Sequence, residues 1–170
     1  MPSKKASMYS HQRVGIFVDV QNLYYSAKHL HNKKVNYNGV MERAVNGRRL
    51  IRAICYVVRA GELKEDTFFD ALKSIGFDVR VKDLQVYYSG NKKGDWDIGI
   101  AMDTIEMSTK LDVVVLISGD GDYTPLVEHL KRRQGCKVEV MAFGKSASTK
   151  LKEAADEFID MDTEKEKFVM

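Results

Sequence analysis

Carboxylates are the residues of this chain best placed to do chemistry together. Asp19 stands at the end of an apolar run in FVDVQN, and Asp120 and Asp122 close a second such run in ISGDGDY. Asp95 and Asp97 lie where the Lys92-Lys93-Gly94 loop leads into a helical pattern. Gathered within a few ångströms, three or four carboxylates repel one another, and some must protonate or splay apart unless a counterion joins them. A divalent cation removes that conflict. Oxygen ligands without His or Cys favour Mg2+ or Mn2+ over zinc, and such ions stabilise the charge of phosphoryl transfer while activating water. Each residue also has a plainer role open to it. Asp95, Asp122 and Thr124 stand where helix caps are wanted, Asn22 can cap or orient a loop, and Ser118 can be a simple strand end.

Residues this far apart meet only if the elements between them bring them together. Short β-branched runs alternate with amphipathic segments, the pattern of β-α-β units around a parallel sheet, so the expected class is α/β. Strands are expected over 14–20, 50–58, 77–88, 112–118, 137–143 and 158–161. Helices are expected after Asp19 to Asn22 through His29, over 40–45, 63–75, from about 96, from Thr124-Pro125 to about 134, and over 148–156. Leu63, Phe68, Leu72 and Ile75 form the apolar set of the third helix, and Ile98, Ala101, Met102 and Ile105 share one face of the fourth. In open α/β sheets ligands bind outside the carboxyl ends of the strands, which is where Asp19, Asp120 and Asp122 fall.

Composition narrows the classes further. The 170 residues, 44% hydrophobic and 30% charged with two prolines, suit one globular domain. A net charge of +3 is no reason by itself to propose a nucleic acid. Cys55 and Cys136 sit in apolar runs without CxxC spacing, so buried free thiols in a reducing cytoplasm are expected, with neither zinc nor disulfide. The longest aliphatic run is far short of a membrane span, so no membrane partner is expected. Residues 1–12, with Lys4 and Lys5, read as a mobile basic tail, 13–162 as the domain, and 163–170 as a C-terminal tail. Gly144-Lys145-Ser146 imitates the end of a phosphate-binding loop, but Glu139 stands where its first glycine belongs. No dinucleotide fingerprint, nucleophile elbow or Cys/His pair is present in the sequence.

The order FVDVQNLYY, KKGDWDIGIAMD, DVVVLISGDGDYTPLVEHLKRRQGCKVEVMAFG resembles the NYN domain, in particular its LabA-like branch, within the PIN-like nuclease superfamily. The resemblance covers about residues 14–160, and its most specific part is SGD-x-D-aromatic followed by an x-P-L helix and a G-x-x-V-x-V strand. It implies a PIN-like three-layer sandwich, a mostly parallel central sheet flanked by helices, and a Mg2+- or Mn2+-dependent ribonuclease site built from Asp residues. The first-strand acid and its companion fall on Asp19 and Asn22, and the SGD-x-D pair on Asp120 and Asp122 with Ser118 beside them. The family's K-G-x-D becomes Lys93-Gly94-Asp95-Trp96-Asp97, which offers two middle acids; the spacing to Asp103 favours Asp97. Asp103 itself points about 120° away from Asp97 on an ideal helix, so it orients a neighbour or faces solvent.

The function expected is therefore hydrolysis of RNA phosphodiesters, with Asp19, Asp97, Asp120 and Asp122 holding metal and Asn22 and Ser118 orienting water or a phosphate oxygen. Lys33, Lys34, Lys92 and Lys93 occupy loops suited to the RNA backbone. Tyr24, Tyr25, Tyr88 and Trp96 have rings that can stack on bases, although Tyr24 and Tyr25 point to different sides of a helix and one of them is expected in the core. Lys131-Arg132-Arg133 complements a helix dipole. A protein partner or homo-oligomer would assist in finding the substrate. The rival readings are a non-catalytic RNA-binding or signalling module that keeps an acidic pocket, and an enzyme acting on small phosphate esters.

Overall fold

The computed structural model describes residues 9–86, 92–93 and 95–170, the side chains of 85, 86, 92 and 93 excepted. In chain order the elements are β1 (Arg13–Asp19), α1 (Val20–His31), α2 (Tyr37–Val45), β2 (Arg49–Arg59), α3 (Glu65–Ile75), β3 (Asp78–Asp83), β4 (Gln85–Val86) and β5 (Lys92–Lys93). They continue as α4 (Asp97–Ser108), β6 (Val113–Ile117), a 3-10 turn (Gly121–Tyr123), α5 (Thr124–Arg132), β7 (Lys137–Ala142), α6 (Thr149–Ala154), β8 (Glu157–Asp160) and α7 (Lys165–Phe168).

Six strands form one sheet in the order β3-β2-β1-β6-β7-β8, every pair parallel. Residues 14–18 of β1 and all of β6 are buried, as strands covered on both faces must be. On one face α1, α2 and α3 bring Leu23, Val40 and Leu72 against Val14, Ile16 and Val18. On the other α4, α5 and α6 bring Ile100, Leu130 and Leu151 against Phe17, Leu116 and Val140. The strand order reverses between β1 and β6. That switch point leaves a crevice beyond the carboxyl ends of these two strands.

Several expectations are corrected. The third strand stops at Asp83 because its partner β2 ends at Arg59, while Gln85–Val86 pair with Lys92–Lys93 in a separate antiparallel ribbon. Leu63 is 95% exposed: α3 begins only at Glu65, whose carboxylate accepts the N–H groups of Ala60 and Glu62. Helix α4 turns Ile100, Thr104 and Ser108 to the sheet and leaves Ile98 and Met102 outside. Thr104 and Ser108 tolerate burial because their hydroxyls donate to carbonyls of their own helix. Residues 163–170, expected as a tail, hold α7 and return to the body, where Phe168 is buried and Val169 bridges to Val35.

Glu139 lies in β7 with 2% of its surface exposed, a costly place for a carboxylate. Arg48 answers it with two hydrogen bonds, 2.7 and 2.9 Å, and donates to the carbonyls of Ala44 and Val45 at the end of α2. Although burial pushes the Glu139 carboxyl up, Arg48 and Lys137 outweigh it and hold the group below its ordinary range. Arg48→Met should leave this buried carboxylate with Lys137 as its remaining cation and cost up to ~3–5 kcal/mol in urea unfolding, and adding Glu139→Leu should recover much of the loss. An unchanged unfolding midpoint in the single variant would refute that role.

Candidate metal centre

Pairing of Val18 with Ile117 sets the strand ends side by side, so Asp19 and Ser118 leave the sheet as neighbours. The Ser118 hydroxyl donates to Asp19 Oδ2 at 3.4 Å and accepts the Asp120 N–H at 3.2 Å. Asp19 Oδ1 caps α1 through the Asn22 N–H, and Asn22 Oδ1 accepts the Gly119 N–H at 2.9 Å. Asn22 thus ties the two strand ends together. A Cβ on Gly119 would lie 3.0 Å from the Ala147 Cα, so any side chain here would push the loop before α6 outward by a few tenths of an ångström.

Beyond Gly119 the chain turns through the 3-10 segment, with Asp120 Oδ1 accepting the Asp122 N–H at 2.9 Å. Asp97, the first residue of α4, meets this turn. Asp97, Asp120 and Asp122 each offer a carboxylate oxygen, all within 4.8 Å of one another. Oxygen ligands at ~2.0–2.6 Å from one Mg2+, Mn2+ or Ca2+ ion have mutual separations of this order, so the donor set fits a single divalent ion. Asp19 falls outside this set among the described residues; its oxygens accept from Asn22, Ser118 and Tyr123. The cluster opens onto a groove of about 380 Å³ between α4 and α5, with Ile105 and Leu126 in its walls.

The residue that joins Asp19 to the cluster is Tyr123. Its ring is buried, and its hydroxyl lies 3.2 Å from Asp19 Oδ2 and 2.9 Å from Asp97 Oδ1. One phenolic proton serves one carboxylate at a time. Burial, more than Asp97, raises the Asp19 carboxyl to about 6 against the hydrogen bonds from Asn22, Tyr123 and Ser118. Asp97 is raised too, first by burial and then by repulsion from Asp120, Asp95 and Asp122. Burial and both carboxylates push the Tyr123 phenol far above its ordinary value, so it stays protonated. In the sequence this aromatic stands out only as part of SGD-x-D-aromatic; the usable signal is that a buried Tyr hydroxyl needs a partner.

Of the two middle acids, Asp97 enters the cluster, while exposed Asp95 accepts the Asp97 N–H at 3.4 Å. Asp103 orients neighbours, accepting from Tyr56 Oη at 2.8 Å and pairing with Arg80 at 3.2 Å. Trp96 is unavailable for stacking: its Nε1–H donates to the Val57 carbonyl, and its ring lies against Tyr56 and under the Lys82 ammonium, 4.4 Å away. Tyr24 and Tyr25 are both exposed, correcting the expectation that one is core, because Val20, Leu23 and Ala27 already form the buried face of α1. Lys33 and Lys34 are exposed in the loop after α1, at the far end of that helix from Asp19. The side chains of Lys92 and Lys93, and all of Tyr88, lie outside the described residues.

A doubly wound parallel sheet with a carboxylate cluster at its switch point defines the class as an open α/β domain whose acids gather at the carboxyl ends of the strands. The chain belongs to the NYN domain family, which matches residues 13–162. It is 29% identical over 157 residues to the low amplitude and bright protein LabA of Synechococcus elongatus, covering 88% of this chain and 83% of that protein. It is also similar to the crystal structure of a protein of unknown function from Vibrio parahaemolyticus. That similarity has a TM-score of 0.87 and 33% identity, covering 95% of this chain and 98% of the other. No helix among the described residues is long and apolar enough to cross a membrane.

The raised Asp19 carboxyl makes the metal-free fold pH-dependent. Between its unfolded value near 4 and its folded value of about 6, the folded state binds the extra proton, so stability should fall as pH rises through that window. Urea unfolding in EDTA at pH 4.5 to 7 should show this slope in the wild type and a flatter one in Asp19→Asn. Tyr123→Phe removes a bond that favours the Asp19 carboxylate, so its slope should extend to higher pH, with ~1 kcal/mol lost at neutral pH. Identical slopes in all three proteins would contradict this account of Asp19.

Proposed function

We propose that this chain is a divalent-metal-dependent ribonuclease that hydrolyses RNA phosphodiesters at the cluster of Asp97, Asp120 and Asp122. The observation that carries the reading is the convergence of these three acids, from two separate segments, at the sheet's switch point. Membership of a family within the PIN-like nuclease superfamily supports hydrolysis as the class of reaction. Mg2+ or Mn2+ suits the all-oxygen donor set, and when bound it supplies charge neutralisation for the phosphate and a lowered pKa for water.

The protein's own residues have distinct parts in this reading. Asp97, Asp120 and Asp122 would hold the ion, and Tyr123 Oη, within reach of both Asp19 and Asp97, positions whichever of the two carboxylates takes its proton. Ser118 and Asn22 keep the two strand ends in register, so they are positioning residues rather than groups touching substrate. The groove beside Asp97 and Asp122 has room for a nucleoside unit next to the scissile phosphate. Lys92 and Lys93, with Lys33 and Lys34, are proposed to meet flanking phosphates.

Asp120→Asn tests the site while sparing the fold, since an amide oxygen can still accept the Asp122 N–H. RNA cleavage should require Mn2+ or Mg2+, and the variant should lose at least ~10–100-fold of it. Mn2+ should raise the melting temperature of the wild type and leave the variant unmoved, because a ligand stabilises only the state that binds it. Without metal the variant should be as stable as the wild type or more so, having lost a like charge. Mn2+ stabilisation without any cleavage would favour the non-catalytic reading; equal Mn2+ responses would refute the site.

A further inference from the structure

The first helix carries a surface that the acidic cluster does not explain. From Val20 to Met41 the chain contains no Asp or Glu, while Lys28, Lys33 and Lys34 all lie exposed and make no ion pair among the described residues. Most arginines of the protein, by contrast, have an acid partner, from Arg13 with Asp112 to Arg80 with Asp103. Two large aromatic side chains share this surface, Tyr24 at 47% and Tyr25 at 59% exposure. Their rings meet edge to face at 5.4 Å, and the Lys28 ammonium stands 5.8 Å from the Tyr24 centroid. Tyr25, Lys28, His29 and Asn32 line a surface depression of about 650 Å³.

The position of this surface matters as much as its composition. Asp19 caps the first turn of α1, so the helix starts at the acidic site and carries the aromatic pair about 8–9 Å along its axis, with Lys33 beyond ~20 Å. Solvated aromatic faces interleaved with unpaired cations match a chain that carries bases and phosphates in alternation. Stacking on Tyr is tolerant of sequence, because every base has a π-face. A duplex would keep its bases stacked on one another and use only the cations.

We infer that the outer face of α1, from Tyr24 and Tyr25 through Lys28 and His29 to Lys33 and Lys34, is the track for single-stranded RNA leading to the carboxylate cluster. The inference rests on the ribonuclease reading for the choice of polymer, but binding on this face does not require metal. The cations meet successive phosphates, and the two tyrosines receive unpaired bases close to the site. The exposed rings contribute nothing to the core, so their removal leaves the fold in place.

The test is fluorescence anisotropy with the full chain in EDTA, so that no turnover intervenes, using a single-stranded RNA oligonucleotide, the same strand as a duplex, inorganic polyphosphate and polyglutamate. The wild type should bind the single strand more tightly than the duplex and polyglutamate. Tyr24→Ala/Tyr25→Ala should weaken single-strand binding by about fivefold or more and leave polyphosphate binding as it was. Lys28→Ala/Lys33→Ala/Lys34→Ala should weaken both and lower the salt slope by about 2, the loss of three single-strand phosphate contacts. The inference is overturned if the tyrosine variant binds RNA like the wild type, if it loses polyphosphate equally, or if the wild type binds no RNA. Polyglutamate bound as tightly as RNA would overturn it in favour of an acidic protein. Absence of Mn2+-dependent cleavage would count against the nuclease reading alone.

Discussion

Like charges held within 4.8 Å of one another push the site apart, and the packing of α4 against β1, β6 and the 3-10 turn opposes them. Two unit charges about 4–5 Å apart near a protein surface repel by ~3–4 kcal/mol before solvent screening, more than one hydrogen bond contributes net. The cluster therefore depends on a frame rather than on any single contact. That frame is the centre of the sheet, where both strands are buried on both faces. Tyr123 extends it. Its ring belongs to the core on the α5 side, so its hydroxyl cannot withdraw from Asp19 and Asp97 without opening that core.

The reversal of strand order does more than make a crevice. Helix α1 leaves β1 on one face of the sheet, whereas α4 and the 3-10 turn approach from the elements of the other face. The acids of the cluster come from the second group, and the unpaired lysines follow the first. Under the proposed function, a polyanion would be attracted along one side of the crevice and repelled at its centre until a cation is present. This division lets a protein of net charge +3 hold an acidic cluster and a basic helix face without cancelling either.

Much of this was legible in the amino-acid sequence because it is local. Apolar runs ending in acid, a glycine-rich turn and helical spacing announce strands, their ends and the α/β alternation, and the SGDGDY and FVDVQN segments carry the family pattern. Even the preference for Asp97 over Asp95 came from the family pattern's spacing to a further Asp, here Asp103, and Asp97 is the acid that joins Asp120 and Asp122. What spacing could not supply was the rotation of each helix about its axis. Ile98 and Met102 look like a core face on apolarity alone, yet α4 is turned so that Asp97 reaches the turn and Ile100 the sheet. For α1 the same ambiguity left Tyr24 and Tyr25 competing for a core position that neither occupies.

Partners distant in sequence were decided by the tertiary structure alone. Arg48 meets Glu139, and Tyr123 meets Asp19 and Asp97, across 91, 104 and 26 residues respectively. Phe168 returns to a core that its polar neighbours gave no reason to expect. The sequence by itself determined which segments are strands and helices and which acids stand at strand ends, because backbone periodicity and turn chemistry act over a few residues. Only the packed fold decided which side chains share a proton, a charge or a cavity, because desolvation and Coulomb energy depend on what lies nearby in space, whatever its place along the chain.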